Sequence, residues 1–309
     1  QYITIQQFIA EKIMSVIIDN QLKEQIPYDP AVFPISFFHD ELETLWQWSG
    51  PLHWHPGFEI ATAETGILDY QVGEKHITLN PGDSIFVNGN ILHGIRQISG
   101  DTADSVPNIV FSGNLIAPEG SQIYNNYISP LQQCNDLPFI VFSGSDKALP
   151  NIRDLILNIY HCFRNQPPCY EMMIQRNVSQ IFEYIYSNIN TFPRHKSNRI
   201  QLINQIRLQK MLDFIYTHYQ KQISLKDLAQ AANVSRSEAG RCFNSFMNCS
   251  PIEFLIQHKL QIAYKMLAEK IYTVEEVCNF CGFNSVNYFR RQFKAKYGIT
   301  PGKYCALGK

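Results

Sequence analysis

Between residues 35 and 145 the apolar positions fall in short runs: ISFF, TLWQW, FEIATA, GILDYQV, HITL, SIFV, ILHGIRQI, NIVFS and PFIVFS. Turn-forming pieces such as VGEK, LNPGD and VNGN separate them. Runs of this length, rich in β-branched and aromatic residues and with no helical period between them, predict the strands of a sandwich or barrel. After LPN at 149–151 the spacing changes to helical. Ile152, Leu155, Ile156, Ile159 and Phe163 make one stripe, Ile174, Val178, Ile181, Phe182 and Ile185 make another, and NQPP at 165–168 divides them. Such an αα-hairpin has more apolar face than a small barrel needs for cover, so pairing of two chains through it and packing back onto the barrel are both open. Residues 1–27 contain an amphipathic stretch broken by PYDPAVFP, TFPRHKSN at 191–198 has the composition of an exposed linker, and everything from 199 onward reads as helix with short turns. The expected organisation is a β-barrel with an N-terminal arm over 1–148, a hairpin over 149–190, a linker over 191–198 and an all-α domain over 199–309.

Within that last region one unit occurs twice. ISLKDLAQAANVSRSEAGRCFNSF predicts a helix from Leu225 to about Ala232, a turn at Asn233 and a second helix capped by Ser235; YTVEEVCNFCGFNSVNYFRRQFKAKYG predicts the same with Gly282 at the turn and Ser285 at the cap. Asn233 and Gly282 are 49 apart, while Ser235 and Ser285, Arg241 and Arg291, and Phe243 and Phe293 are 50 apart, because Asn284 is one extra residue. A helix, a turn residue able to take positive φ, a cap and a second helix with a basic outer face make a helix-turn-helix. Ala239 and Phe243, and Val286, Phe289 and Phe293, mark the inner faces. The outer faces then carry Arg236, Ser237 and Arg241 in one copy and Asn287, Arg290, Arg291 and Lys294 in the other, side chains suited to base edges and phosphates. The apolar spacing of SPIEFLIQHKLQIAYKMLAEK between the copies predicts a helix roughly 30 Å long, close to the separation of about 34 Å between successive major grooves.

Charge strengthens this reading. Residues 1–193 hold 8 Lys/Arg against 20 Asp/Glu, a balance of −12, and residues 194–309 hold 18 against 7, or +11, which together give the chain's −1. A cationic segment of this kind suits a polyanion, because each cation placed near a phosphate releases condensed counterions. The eight cysteines lack the dense spacing of a secreted disulfide scaffold. Cys278 and Cys281 form a C-x-x-C pair, but they lie in an apolar helical pattern and read as packing residues. No run reaches the roughly 18 apolar residues of a membrane span and the first residues hold no secretory core, so a cytoplasmic protein is expected.

Residues 200–305 resemble the AraC-type transcriptional regulators, most closely through VCNFCGFNSVNYFRRQFKAKYGITPGKY, where Gly282, Phe283, Tyr288, Phe289, Arg291, Phe293, Lys294, Gly298 and Pro301 stand at the family's positions. The resemblance implies a DNA-binding domain and double-stranded DNA as partner. Departures from it are Asn244 for a usual Lys, Asn248 for a Gly, Lys259 for an Arg and Cys305 for a frequent Arg. They imply that the second copy contributes more affinity and that the first tunes site preference.

The stretch HWHPGFEIATAETG places His53, His55 and Glu59 ahead of Gly66 and, with Gly82 and His93, resembles the two motifs of a cupin barrel; Asn88, Asn90 and Gln97 depart from the second motif. Two alternatives stay open for the four residues His53, His55, Glu59 and His93. Three imidazoles and a carboxylate are the donor set of a divalent zinc, iron, manganese or nickel ion. The same imidazoles, with Trp46, Trp48, Trp54 and Phe58 nearby, suit a small-molecule effector without metal, a sugar above all, and beside a DNA-binding domain this is the preferred reading. A fatty acid would want a basic anchor, for which Arg96 is the candidate. The sequence therefore predicts a ligand-responsive, homodimeric transcription regulator that is not an enzyme. Its rivals are a metal-dependent cupin enzyme fused to a DNA-binding domain and a constitutive regulator.

Overall fold

Strands β1 (Ile35–Glu41), β2 (Ser49–His53), β3 (Phe58–Thr62), β4 (Ile67–Val72), β5 (Lys75–Leu79), β6 (Ser84–Val87), β7 (His93–Ser99), β8 (Ser105–Phe111) and β9 (Phe139–Phe142) form two antiparallel sheets in the computed structural model, ordered β1-β8-β3-β6-β9 and β2-β7-β4-β5. The structure describes residues 18–19, 22–28, 32–41, 49–99, 105–144, 150–195 and 199–306. Most of the amphipathic N-terminal stretch and the TLWQW run, with Trp46 and Trp48, lie outside them. From β1 to β4 the strands alternate between the sheets, as they do again from β5 to β8, which is the double-layered barrel of a jelly roll. The two sheets face each other across an interior of Leu68, Tyr70, Val72, Ile85 and Val87. Short helical turns at 113–115 and 124–132, not legible in the strand pattern, precede β9 and add Leu115, Ile128 and Leu131 to the core between the five-stranded sheet and the helices that follow.

Helices α1 (Pro150–Asn165) and α2 (Tyr170–Ser187) form the expected hairpin. Of the two destinations left open for its stripes, the structure has the barrel. Ile152, Ile156, Ile159, Ile174, Val178, Ile181 and Phe182 share one core with Phe58, Ile60, Phe86 and Phe111 of the five-stranded sheet. Phe182 meets the rings of Phe58, Phe86 and Phe111 at centroid distances of 5.1, 6.0 and 6.0 Å. The buried Tyr160 hydroxyl bonds Thr62 (2.9 Å), which tethers α1 to β3. With the inner stripes covered, any pairing of two chains through the hairpin falls to its outer face, where Leu157 and Met172 are exposed.

The first part of the expected linker is not a free strand of chain. His195 stacks on Phe139 at 4.4 Å and Arg194 pairs with Asp136 at 3.0 Å. Residues 196–198 lie outside the described residues.

The chain divides into two units, Gln1–Gln201 and Leu202–Lys309. The second unit contains most of α3 (Arg199–His218), then α4 (Leu225–Ala231), α5 (Arg236–Met247), α6 (Pro251–Ala268), α7 (Val274–Phe280), α8 (Val286–Tyr297) and α9 (Pro301–Ala306). Helix starts follow their caps: Ser224, Ser250 and Thr273 form reciprocal capping boxes with Asp227, Glu253 and Glu276. Among the described residues no helix is long and apolar enough to cross a membrane.

Replacing Phe182 by Ala removes the ring that joins α2 to three aromatic side chains of the sheet. Such truncations cost about 3–5 kcal/mol. The Phe182→Ala variant is expected to lose that much stability in urea titration followed by near-ultraviolet circular dichroism. A change below about 1 kcal/mol would mean that the hairpin is not anchored there.

Candidate effector site and nucleic-acid interface

The histidine cluster sits between the two sheets. His53 and His93 are cross-strand partners on β2 and β7, Glu59 projects from β3 of the opposite sheet, and His55 lies in the turn that carries the chain from one sheet to the other. One ligand atom from each of His53, His55, Glu59 and His93 lies within 4.8 Å of the others. The structure thus brings together all four residues that the two motifs pointed to. Glu59 is the hub: its Oε2 stands 3.1 Å from His55 Nε2 and 2.8 Å from His93 Nε2, and its Oε1 accepts from the Tyr70 hydroxyl at 2.6 Å.

The outer nitrogens of the two buried rings are also committed. His55 Nδ1 lies 2.9 Å from the Gly57 carbonyl and His93 Nδ1 lies 2.7 Å from the Ile91 carbonyl. A carbonyl only accepts, so each Nδ1 carries its proton, and a neutral ring then aims a lone pair through Nε2 at the carboxylate. At His93 the surroundings favour a second proton. Burial pulls its pKa down, but the charge and hydrogen bond of Glu59 and the Ile91 carbonyl raise it above the ordinary histidine value overall. At His55 they do not, since burial foremost, with the His93 charge adding to it, holds its pKa below the ordinary value despite Glu59. Burial disfavours the Glu59 anion too, yet His93 and His55 keep its carboxyl well below the usual carboxylate range. Tyr70 is pushed well above the usual phenol value by burial and the Glu59 charge, so it stays a donor. A cation placed among the Nε2 atoms and the Glu59 carboxylate would meet the His55 lone pair and, in place of the second proton of His93, the His93 lone pair as well. Backbone carbonyls on both Nδ1–H groups are the outer support that metal-ligating imidazoles take. The residues present therefore fit a divalent ion.

Sequence reasoning missed two members of this site. Tyr70 follows Leu68 on the inner face of β4 and was legible as an inward position, though not as a partner of Glu59. Glu24 was not legible at all. It arrives on the segment 22–28, is 5% exposed, and places Oε2 3.4 Å from His53 Nε2 and 4.0 Å from His55 Nε2.

Other expectations are corrected. Phe58 is not a pocket aromatic, because it points into the core beneath α2. Arg96 lies on the outer side of β7, exposed, with its guanidinium 2.8 Å from Asp69; strand alternation puts His93 inward and Arg96 outward, so Arg96 does not anchor a ligand inside the barrel. Trp54 lies at the edge of the cluster, with Lys23 Nζ 5.5 Å from its ring centroid.

In the second unit the turns of the two repeats have the conformations their residues demand. Asn233 has φ 56° and Gly282 has φ 67°. A Cβ on Gly282 would stand 2.2 Å from the Gln220 carbonyl oxygen, so glycine is required for close approach as well as for φ. Ser235 and Ser285 cap α5 and α8 through the backbone N–H groups of Glu238 and Tyr288. Asn248 takes the left-handed C-cap with φ 52°, which explains how the chain does without a glycine there.

Arg236, Ser237, Arg241, Asn287, Arg290, Arg291 and Lys294 are all exposed, while Ala239, Phe243, Phe289 and Phe293 are buried. Arg291 lies over the Tyr288 ring at 5.5 Å, and Arg290 is held by Glu275 at 2.8 Å. At matching positions Ser237 faces the same way as Asn287, Gly240 as Arg290, Arg241 as Arg291 and Asn244 as Lys294. Asn244 is an exposed member of this face that the sequence reading noted only as a departure. Lys259, noted likewise, is 5% exposed and donates to the Gly282 carbonyl at 2.7 Å. Its role is internal. Cys278 and Cys281 are buried free thiols, with Cys281 pushed up to about 12 by burial, as packing residues should be.

A barrel with an inward His/Glu cluster joined to a double helix-turn-helix unit is the architecture of a DNA-binding regulator with a sensor domain. Comparison with known proteins agrees. A "Cupin domain" family matches residues 45–104 and a "Helix-turn-helix domain" family matches residues 228–306. The "uncharacterized HTH-type transcriptional regulator YdeC" of Bacillus subtilis is 26% identical over 293 residues, 93% of this chain and 97% of its own length. The "lactose operon transcription activator" of Staphylococcus xylosus is 25% identical over 190 residues, 61% of this chain and 65% of its own. A solved structure of a "probable AraC family transcriptional regulator" from Rhodopseudomonas palustris is 20% identical, covers 33% of this chain and 97% of its own, and has a TM-score of 0.32. The chain thus combines an AraC-type helix-turn-helix domain with an N-terminal cupin domain, and the relatives it resembles are transcription regulators.

Tyr70→Phe removes one donor from a buried carboxylate and changes little else. Hydrogen bonds to charged groups contribute about 1.5–3 kcal/mol, and a loss of stability of that size, seen as a lower urea midpoint, is expected. An unchanged midpoint would show that the cluster does not depend on the hydroxyl.

Proposed function

We propose that the chain is a cytoplasmic transcription regulator that binds double-stranded DNA through α5 and α8 and adjusts that binding to an effector held at the histidine cluster. The observation that carries this reading is the pair Arg241 and Arg291: they occupy matching positions on two reading helices, both exposed, in the cationic part of the chain. Helix α6, with 18 residues, is about 27 Å long, a span suited to neighbouring major grooves on one side of a duplex. Ser237, Arg241, Asn287 and Arg291 are assigned to base edges, and Arg236 and Lys294 to phosphates. Arg290 divides its charge with Glu275. The second copy is the stronger contributor, because Lys294 stands where the first copy has Asn244.

For the effector, the donor set favours a divalent transition-metal ion over the sugar that the sequence reading preferred. The ring nitrogens and carboxylate converge on one another, and of the four motif residues only His53 is appreciably open, its side chain 16% exposed. His53, His55, Glu59 and His93 would hold the ion, His93 giving up its Nε2 proton to do so, and the ion's charge would supply the stabilisation that the imidazolium otherwise gives Glu59. A sugar remains the organic alternative and would use His53 and Trp54 at the open edge. The relatives' names support a regulatory role in place of an enzymatic one, and a homodimer is part of the proposal.

Arg241→Ala and Arg291→Ala are each expected to weaken binding to a selected DNA site by about 1–3 kcal/mol, with the larger loss at Arg291; a larger loss at Arg241 would reverse the ranking. Lys294→Ala should lower affinity for all sequences and reduce the salt slope by about one. These are read by fluorescence anisotropy over a salt series. Retention of full affinity by the Arg241/Arg291 double variant would overturn the proposed interface. Metal analysis of the full chain and a thermal-shift panel of sugars separate the two effector readings.

A further inference from the structure

The motif residues are not the whole of the cluster. Trp54, between His53 and His55, forms an isolated parallel bridge with Lys23: its N–H donates to the Leu22 carbonyl at 2.8 Å and its carbonyl accepts from the Glu24 N–H at 2.9 Å. Leu22 itself has φ 60° and is buried, which turns the chain into this bridge. The result is that a carboxylate from the N-terminal segment is delivered beside the His53 and His55 rings. Its separations from His53 and His55, 3.4 and 4.0 Å, are longer than the 2.7–2.9 Å of a charge-assisted hydrogen bond. They do match the spacing of donors that share one ion: with each donor about 2.0–2.2 Å from the centre, neighbouring donors lie about 3 Å apart and opposite ones about 4 Å apart. Two carboxylates would also balance a doubly charged ion in a site this dry, where one leaves a net positive charge.

We infer that Glu24 is a fifth protein ligand of the divalent ion, so that ion binding and docking of residues 22–28 onto Trp54 are one event. This rests on the ion reading of the cluster. Three imidazoles and two carboxylates suit zinc, iron(II), cobalt(II), manganese or nickel, and not magnesium or calcium. Because the Trp54 bridge forms only when the segment lies in place, an ion that prefers the five-donor arrangement stabilises the bridge in proportion to its occupancy.

The test uses the full chain and cobalt(II), whose visible absorption reports the number of ligands. Calorimetry is expected to give one cobalt(II) per wild-type chain, and Glu24→Gln should bind at least about tenfold more weakly with a spectrum shifted toward fewer ligands. In the wild-type chain cobalt(II) should slow amide exchange at Glu24 and Trp54, a readout that needs no variant to fold; in Glu24→Gln it should not. If the wild-type chain takes up no cobalt(II) or zinc(II), the ion reading and this inference fall together. If it binds the ion, but Glu24→Gln keeps the same affinity and spectrum, or the wild-type amides gain no protection, the assignment of Glu24 alone is wrong.

Discussion

The buried ammonium of Lys259 holds the DNA-binding unit together. It leaves α6 at the middle of the unit, donates to the Gly282 carbonyl at 2.7 Å, and stands 3.5 Å from the Lys221 carbonyl and 5.6 Å from the Phe283 ring centroid. One contact is the turn of the second repeat and another is the loop that leads into the first. Gln222 reaches the same Gly282 carbonyl at 3.2 Å. Burial lowers the Lys259 pKa, so the charge needs these oxygens, and the oxygens can meet only if both repeats are in place around α6. Apolar packing acts in the same direction: Leu260, Ala263 and Leu267 join the core of the second repeat, while Phe254 meets Phe243 of the first at 5.4 Å. The spacing of the two reading helices is thus a property of one packed body, and the exposed arginines inherit it.

The barrel depends on a comparable constraint with opposite sign. A buried carboxylate, Glu59, accepts from the Tyr70 hydroxyl at 2.6 Å and faces two imidazoles whose Nδ1 protons are committed to backbone carbonyls, so positive charge at their Nε2 atoms stabilises it. His93 supplies part of it. The proposed ion would meet the remaining demand at His55, and the cluster ties together elements from both sheets and from the N-terminal segment. Sensor and reader are alike in this respect: each uses one buried charge to align several pieces of chain.

Local patterns revealed much of this in the sequence. The 49-residue offset between the turns and the 50-residue offset between the caps located both reading helices, since turn and cap chemistry are local properties of Asn233, Gly282, Ser235 and Ser285. Short apolar runs placed β1 and the strands from β3 to β9 but not β2, and the two motifs placed His53, His55, Glu59 and His93. Long-range contacts were hidden. The periodicity of α1 and α2 showed two apolar faces without naming what covers them. Lys259 looked like a lost cation because burial does not show in a helical pattern. Glu24 had no signal, since its place depends on a bridge to Trp54 thirty residues later. Arg96 and Phe58 were misassigned because strand parity was not applied to them: Phe58 adjoins Glu59 on β3 and Arg96 is three residues from His93 on β7, so both point away from the cluster.

The central claim is that the two repeats grip one face of one duplex as a rigid pair. Methylation protection on DNA selected from a random pool by the full chain tests it directly. The account predicts two protected blocks of guanine N7 positions, centred about 10 base pairs apart. A single protected block, or two blocks offset by about half a turn onto opposite faces of the duplex, would contradict it.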